Sequence, residues 1–333
     1  MLLFRHISIR SHVAFSALSN AISSNATRGK RLARHVRSLS AVLDPQQPGC
    51  LHALSFAHAA SLFPNLSELD LAFYPPPKLY PLNEREGKPF FALEDEALSI
   101  LRSGPRITAL RLANWSNDAS LLGTLLSLYH RTLRTLSLRG RSASFSVPPP
   151  LSTPSCPLSL TLEPSLALVP ALMGWLTDPS NPPLVRALEF IRQPEPAILA
   201  ALLAAHGATL NVLALPTLTT TDAAVVSAHG CPHLEAIRTE HPYAALPPRL
   251  LSARLRHVAL AAAPALALVR EEARARGRLE SMSVVLWRGD GEERANVRVL
   301  KVLCAQLGIR TEFERDVVAF RERFWAGTVQ PLV

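Results

Sequence analysis

Three side chains of types that bind metal ions stand within five residues of one another: His229, Cys231 and His233. Imidazole and thiolate groups are common zinc ligands, but a closed zinc site takes four ligands, normally as two closely spaced pairs. No second pair accompanies this cluster, and the chain contains no CxxC. We therefore predict no metal at these residues and interpret them as a loop that closes one structural unit before the next.

Motifs that would mark an active site are missing from the sequence. It contains no GxxxxGK[ST] phosphate-binding loop, no HExxH motif and no GxSxG nucleophile turn. The acidic run Glu94-Asp95-Glu96 is typical of a helix N-terminus, where carboxylates offset the positive end of the helix dipole. The sequence thus predicts no catalytic residue and no cofactor. An enzyme on an ordinary α/β fold is the alternative.

The elements that position the remaining polar residues are indicated by a phrase that recurs along the chain: apolar, two variable residues, apolar, one variable residue, apolar. Clear copies read LSELDL at 66–71, LRTLSL at 133–138 and LNVLAL at 210–215. The last anchor positions of the ten copies, one of them the threonine of a looser copy, are Ala41, Leu71, Leu112, Leu138, Leu162, Phe190, Leu215, Thr239, Leu260 and Val284. The alternation that ends each copy predicts a short β-strand with one buried face.

This phrase resembles the signature of leucine-rich repeats, and seven of the nine spacings between copies fall within their period of roughly 20–29 residues. The resemblance implies an α/β fold, a leucine-rich-repeat solenoid in which a curved parallel sheet of short strands carries helices on its convex side. The usual Asn after the phrase is matched only by Asn114, which predicts irregular repeats. An ordinary α/β fold with leucine-rich strands is the alternative.

The residue between the last two apolar positions of each phrase is expected to face away from the core, onto the concave surface. These positions and their neighbours carry charges of both signs and no aromatic cluster, which favours a protein partner over a nucleic acid. Small residues such as Ala214, Ala259 and Ser283 indicate that a partner can approach closely. The candidate partner-facing residues are Glu68, Asp70, Arg111, Arg139, Glu189, Arg238, Glu240 and His257.

Three regions follow from these patterns. Residues 1–31 are expected to form an N-terminal helical segment, with Ser11 capping a helix over 12–22. Residues 32–290 hold the irregular repeats, with helices between the phrases and a Pro-rich insertion at 74–90, either a rim loop or a disordered excursion. Residues 291–333 are more charged and helical in pattern, as the terminal cap of a repeat array requires.

The chain of 333 residues has a formal net charge of +9, and residues 1–43 contain no Asp or Glu. A basic balance can indicate nucleic-acid binding, but the rest of the chain is close to neutral, so none is predicted. An acid-free start rich in Arg and Ser is also typical of a mitochondrial transit peptide, which is the alternative to a cytoplasmic or nuclear location. No apolar stretch approaches the ~20 residues that span a bilayer, so we predict no membrane segment.

Four segments carry a further resemblance: LLFRHISIR at 2–10, FSAL at 15–18, RLARHVRSL at 31–39 and CPHL at 231–234. In this order they resemble the junction and repeats of fungal (basidiomycete-type) F-box/leucine-rich-repeat proteins. In that family the junction follows the F-box helices, which bind the adaptor subunit of a cullin-RING ubiquitin ligase, and the repeats hold the target. The F-box would precede Met1, so the resemblance implies adaptor binding only where an upstream F-box exists.

These observations predict a non-enzymatic protein–protein interaction module similar to the substrate-receptor part of such a ligase. It is expected to bind an unknown target protein on the concave surface. A stand-alone leucine-rich-repeat scaffold without a ubiquitin-ligase link is the alternative. Cofactors, nucleic acids and membranes have no part in this prediction.

Overall fold

Most of the chain is described by a computed structural model, which covers residues 5–24, 26–75, 93–116, 120–140, 158–163, 169–178, 185–241, 255–275, 279–287 and 291–328. The chain divides into two compact units, Met1–Pro182 (unit 1) and Pro183–Val333 (unit 2). Each unit is built from short parallel strands that alternate with helices. The α/β class and the parallel strands predicted from the repeated phrase are therefore confirmed.

Unit 1 contains six strands and six helices within its described residues. The strands are β1 (His6–Ile9), β2 (Ser38–Leu43), β3 (Glu68–Phe73), β4 (Ala109–Asn114), β5 (Thr135–Gly140) and β6 (Leu158–Leu162). The helices are α1 (His12–Ser23), α2 (Ala26–Ala33), α3 (Ala53–Ser61), α4 (Asp95–Ser103), α5 (Ser120–Tyr129) and α6 (Val169–Leu176). The strands pair in chain order, and every pair is parallel.

Unit 2 continues the alternation within its own described residues. Its strands are β7 (Val185–Phe190), β8 (Val212–Leu215), β9 (Ala236–Thr239), β10 (His257–Ala261), β11 (Ser281–Val285) and β12 (Arg310–Glu314). Its helices are α7 (Pro196–His206), α8 (Thr220–His229), α9 (Ala262–Ala275), α10 (Gly291–Leu307) and α11 (Val317–Thr328). A short 3₁₀ turn, Gly207–Thr209, follows α7. These strands also pair in parallel and in chain order.

The apolar positions of the phrase lie side by side across neighbouring strands. In unit 1 the register joins Leu39, Leu69, Leu110, Leu136 and Leu160. The matching row of unit 2 is Leu188, Leu213, Ile237, Val258 and Met282. All ten side chains are buried, and burying one of this size contributes roughly 1.5–3 kcal/mol. We call this sheet face the anchor face and the opposite one the outer face.

The connecting helices cover the anchor face. Within each unit every strand is added on the same side of its predecessor. Connections between parallel strands are nearly always right-handed, so helices in these connections are expected on the same face of the sheet. Helix α3 buries Phe56 and α5 buries Leu125, as packing against this face requires. The outer face carries the middle residue of each phrase, and in unit 1 Asp70 is half-buried there while Arg111 is exposed.

Two strands were not expected from the sequence. The segment 1–31, expected to be helical, also contains β1, which pairs with β2. The segment 291–333, expected to be a helical cap, contains β12 between α10 and α11. The predicted cap of α1 is confirmed, because Ser11 Oγ accepts a hydrogen bond from the backbone N–H of Ala14 at 3.2 Å. Residues 76–90 of the Pro-rich insertion lie outside the described residues.

None of the helices in the described parts of the chain has the length and apolar character that crossing a lipid bilayer requires. The acidic run at 94–96 lies at the start of α4, as predicted, with Asp95 and Glu96 in its first turn. Asn114 is buried, and its side-chain oxygen accepts hydrogen bonds from the backbone N–H of Ser116 at 3.0 Å and from the Ser116 hydroxyl at 2.6 Å. The amide thus stabilises the turn after β4.

Candidate functional site

The outer face of unit 1 presents polar side chains in rows across its strands. The register places Ser40, Asp70, Arg111, Ser137 and Thr161 in one row from β2 to β6. The face therefore combines carboxylate, guanidinium and hydroxyl groups. Groups of these three kinds are able to form ion pairs and hydrogen bonds with another molecule.

Four of the candidate partner-facing residues lie together on this face: Glu68, Asp70, Arg111 and Arg139. The two carboxylates are half-buried, and the two guanidinium groups are exposed. Within the described ranges, none of the four side chains makes a hydrogen bond or an ion pair. Charged groups without internal partners are available to an outside molecule.

The outer face of unit 2 is covered by α11. Phe320 (0 % exposed) and Phe324 (3 % exposed) contact a floor of outer-face side chains from five strands. The floor consists of Ala187, Val212, Ala214, Ala236, Ala259, Ala261 and Val285. Val317 and Trp325 pack against the same cluster while remaining partly exposed. The close approach expected at the small middle residues is thus made by the chain itself.

A cluster of buried charges lies next to this apolar floor. The Arg238 guanidinium is fully buried, with Nη2 donating to Glu189 Oε1 at 2.6 Å and Nε lying 3.3 Å from Glu240 Oε1. Arg321 of α11 donates to both carboxylate oxygens of Glu240, at 2.7 and 2.6 Å. This hydrogen bonding raises the pKa of Arg321 above its ordinary value. The Arg238 guanidinium carbon also lies 5.7 Å from the centre of the Phe324 ring.

Three further candidate residues, Glu189, Arg238 and Glu240, are therefore buried rather than open to a partner. Strand alternation places Glu189 and Arg238 on the outer face, in one row with Ala214. They were expected on an exposed concave surface. The difference arises because α11 returns across this face and pairs with Glu240, which a strand pattern does not indicate.

The last candidate, His257, is half-buried in β10. Its Nδ1 lies 2.7 Å from the Ser281 hydroxyl on the neighbouring strand β11. Burial lowers the pKa of His257, while the nearby charges act in opposing directions, Glu280 raising it and Arg310 lowering it. His257 therefore bridges two strands of unit 2 through a hydroxyl.

The cluster of possible metal ligands around Cys231 does not converge. His229 is the last residue of α8, Gly230 ends the helix in the left-handed conformation with φ of +52°, and both histidine side chains are exposed. Cys231 is buried, and burial raises the pKa of its thiol. Across the described residues, no three His, Cys, Asp or Glu side chains are grouped so as to hold a metal ion.

Sequence reasoning missed Phe320, Arg321 and Phe324. Their signal is present in the sequence: two aromatic residues four positions apart, with an arginine directly after the first, follow the last repeat. Side chains four apart share one face of a helix. The small middle residues Ala214 and Ala259 provide the matching space on the strands. The sequence alone does not indicate that Phe320 and Phe324 meet these small residues, because it does not show that the helix lies on the outer face.

Neither a scan against protein-family models nor a search of curated proteins finds a match to this chain. The resemblance of the N-terminal segments to F-box/leucine-rich-repeat proteins therefore stays a prediction. The outer face of unit 1 carries exposed charges at Arg111 and Arg139, whereas α11 covers the outer face of unit 2.

Proposed function

We propose that the chain is a leucine-rich-repeat solenoid that acts as a non-enzymatic protein-interaction module. Its support is the stacking of the repeated phrase: successive strands pair in parallel within each unit, and their apolar positions form continuous rows. A single repeat cannot bury its own apolar side, so neighbouring repeats supply the core. In this proposal the outer face is the concave surface of the solenoid.

The proposed binding surface for a target protein is the outer face of unit 1. One observation carries it: Glu68, Asp70, Arg111 and Arg139 lie together there without internal hydrogen bonds or ion pairs in the described ranges. Two carboxylates beside two guanidinium groups complement the mixed charge of a protein surface. A nucleic acid presents a phosphate backbone and calls for mainly cationic groups.

A charge-reversal experiment tests this surface. The double variant Arg111→Glu/Arg139→Glu is expected to lose the partner recovered by affinity purification of the unaltered chain, with recovery falling about ten-fold or more. The matched control is Arg102→Glu/Arg131→Glu, which reverses two exposed charges away from this face. Equal recovery with both double variants, at unchanged circular dichroism and melting temperature, would refute the proposed surface.

The N-terminal resemblance adds a narrower proposal, in which the module is the substrate receptor of a cullin-RING ubiquitin ligase. In this role the repeats hold the target, and an upstream F-box binds the adaptor. The alternative is a stand-alone scaffold. Recovery of adaptor and cullin subunits together with the target supports the receptor role, whereas recovery of the target without them supports the scaffold.

A further inference from the structure

Helix α11 docks on unit 2 through three side chains within five residues. Phe320 and Phe324 lie one helical turn apart and contact the apolar floor, while Arg321 pairs with Glu240. On the other side of the helix, Val318 is 60 % exposed. We call the floor together with Glu189, Arg238 and Glu240 the α11-binding surface. The α11-binding surface contacts one face of an amphipathic helix.

The sheet does not require a helix on its outer face. In unit 1 the corresponding positions include the exposed Arg111 and Arg139. The parallel strands β4 and β5 therefore form with charged side chains exposed on this face. Helix α11 on the outer face of unit 2 is therefore not needed to form the strands, and its presence there calls for another explanation.

The buried charges indicate that the α11-binding surface is suited to contact with water. The carboxylates of Glu189 and Glu240 flank the Arg238 guanidinium, and Arg321 adds a second guanidinium that pairs with Glu240. Burying charges carries a desolvation cost that apolar side chains of similar volume avoid. Arg238 Nη1, moreover, has no hydrogen-bond partner among the residues described. Covering these charges with a helix therefore costs more than covering apolar side chains would.

Outside the apolar floor and Arg321, the contacts of α11 are a short link to β12 and solvent-exposed ion pairs, which are weak. Only Arg315 and Asp316 connect it to β12. Arg323 lies 3.7 Å from Glu312 and 3.2 Å from Glu314, but its side chain is 53 % exposed, as is that of Glu312 at 61 %. Exposed ion pairs of this kind are screened by salt and contribute little. The helix is held mainly by its two aromatic rings and Arg321, together with Val317 and Trp325, which pack against the floor while remaining partly exposed.

We infer that the α11-binding surface is a docking site for an amphipathic helix of a partner protein, and that α11 is the built-in competitor for it. The partner helix carries two aromatic residues four positions apart and an arginine directly after the first. The rings fill the space above the small floor residues, and the arginine pairs with the Glu240 carboxylate as Arg321 does. This site lies on unit 2, and its test does not depend on the outer face of unit 1.

A peptide-binding experiment on the full chain tests the inference. The probe is a fluorescein-labelled peptide with the sequence of residues 315–328. In the unaltered chain α11 competes at an effective concentration of about a millimolar, so Phe320→Ala/Phe324→Ala in the chain is expected to tighten peptide binding about ten-fold or more. The same peptide carrying Arg321→Glu is expected to bind the variant about ten-fold more weakly. Val318→Ala in the chain is the control and leaves peptide binding as it is.

Three results would overturn the inference. One is a double variant that keeps its circular dichroism and melting behaviour but gains no affinity for the peptide. Another comes from native-state hydrogen exchange on the unaltered chain, which needs no variant to fold: α11 amides are expected to exchange about 100-fold faster than those of β9 and β10, and equal protection contradicts a displaceable helix. The third is a dimer formed by exchange of α11 between two copies, because the occupant is then a second copy of this chain.

Discussion

His257 shows how one half-buried side chain links the strands to solvent conditions. Burial holds the pKa of His257 below its ordinary value of about 6.5. Between the two pKa values the unfolded chain therefore binds more protons than the folded one. The stability that depends on neutral His257 is complete above the ordinary pKa and is lost as the pH falls below it toward the folded pKa.

The variant His257→Gln tests this sign, because glutamine keeps a polar group near Ser281 but takes up no proton. The melting-temperature advantage of the unaltered chain over the variant is expected to shrink as the pH is lowered from about 7.5 to about 5. Scanning calorimetry at several pH values measures it. A melting-temperature advantage that grows at low pH would contradict the lowered pKa of His257. An NMR titration of the imidazole measures that pKa directly.

Strand alternation alone was enough to predict which way the candidate side chains face. Asp70 and Arg111 lie on the outer face because Leu69, Leu71, Leu110 and Leu112 occupy the anchor face. The burial of Arg238 could not be predicted in this way. Exposure depends on what covers a face, and the cover comes from a helix whose Arg321 pairs with Glu240 and lies 81 residues after it in the chain.

At the scale of an element, α8 is fixed by a capping box that reaches beyond the helix. The Thr219 hydroxyl accepts from the backbone N–H of Asp222 at 3.1 Å, and the Asp222 carboxylate accepts from the backbone N–H of Thr219 at 3.0 Å. Gln193 donates to the same carboxylate at 2.8 Å, and its own carbonyl accepts from the backbone N–H of Thr217 at 3.2 Å. One carboxylate thus joins the start of α8 to the chain after β7.

Asp222→Ala is expected to lower the free energy of unfolding by about 1–3 kcal/mol, since it removes a cap and leaves buried donors without an acceptor. The control is Glu195→Ala at the start of α7, where the side chain makes no capping bond. Its effect is expected to stay within about 0.5 kcal/mol. Urea denaturation of both variants gives the comparison, and similar losses would show that the network around Asp222 is not what stabilises α8.

The strands that sequence reasoning missed, β1 and β12, lack the full phrase. The ten predicted copies all fall on strands because the alternating apolar positions that end each copy define both the strand and its buried face. In β1 the pattern is cut to His6-Ile-Ser-Ile9, and β12 reads RTEFE without a leucine. Such short strands form because a neighbouring strand already presents free backbone groups, which local sequence does not reveal.

For the whole molecule, the successive stacking of strand–helix units within each unit implies that damage stays local. Gly140, the last residue of β5, has φ of +106°, and a Cβ there would collide with the backbone of its register partner Asn114. Gly49 also has positive φ, at +68°, but a Cβ added to it would meet nothing within 4 Å. A side chain at Gly49 would thus cause backbone strain alone, whereas one at Gly140 would cause both strain and a collision with the neighbouring strand.

Gly140→Ala is expected to destabilise unit 1 by about 1–3 kcal/mol or more, because strain and contact add. Gly49→Ala is expected to cost about 1 kcal/mol. Hydrogen exchange followed by mass spectrometry is expected to show faster exchange in β4 and β5 of the Gly140→Ala chain, with β9 and β10 unchanged. A uniform increase across both units would show a single cooperative fold instead of locally coupled repeats.

Two tryptophans are placed to report on α11: Trp325 lies within the helix, and Trp287 follows β11. The Trp287 indole N–H donates to the backbone oxygen of Glu240 at 2.6 Å, and Trp325 meets the Phe324 ring edge-on at a centroid distance of 5.6 Å. If the helix lifts, the Trp325 ring passes from an apolar contact into water, which shifts indole emission to longer wavelengths. The chain thus contains its own optical reporter, and a stopped-flow fluorimeter can time the release of α11 without any dye.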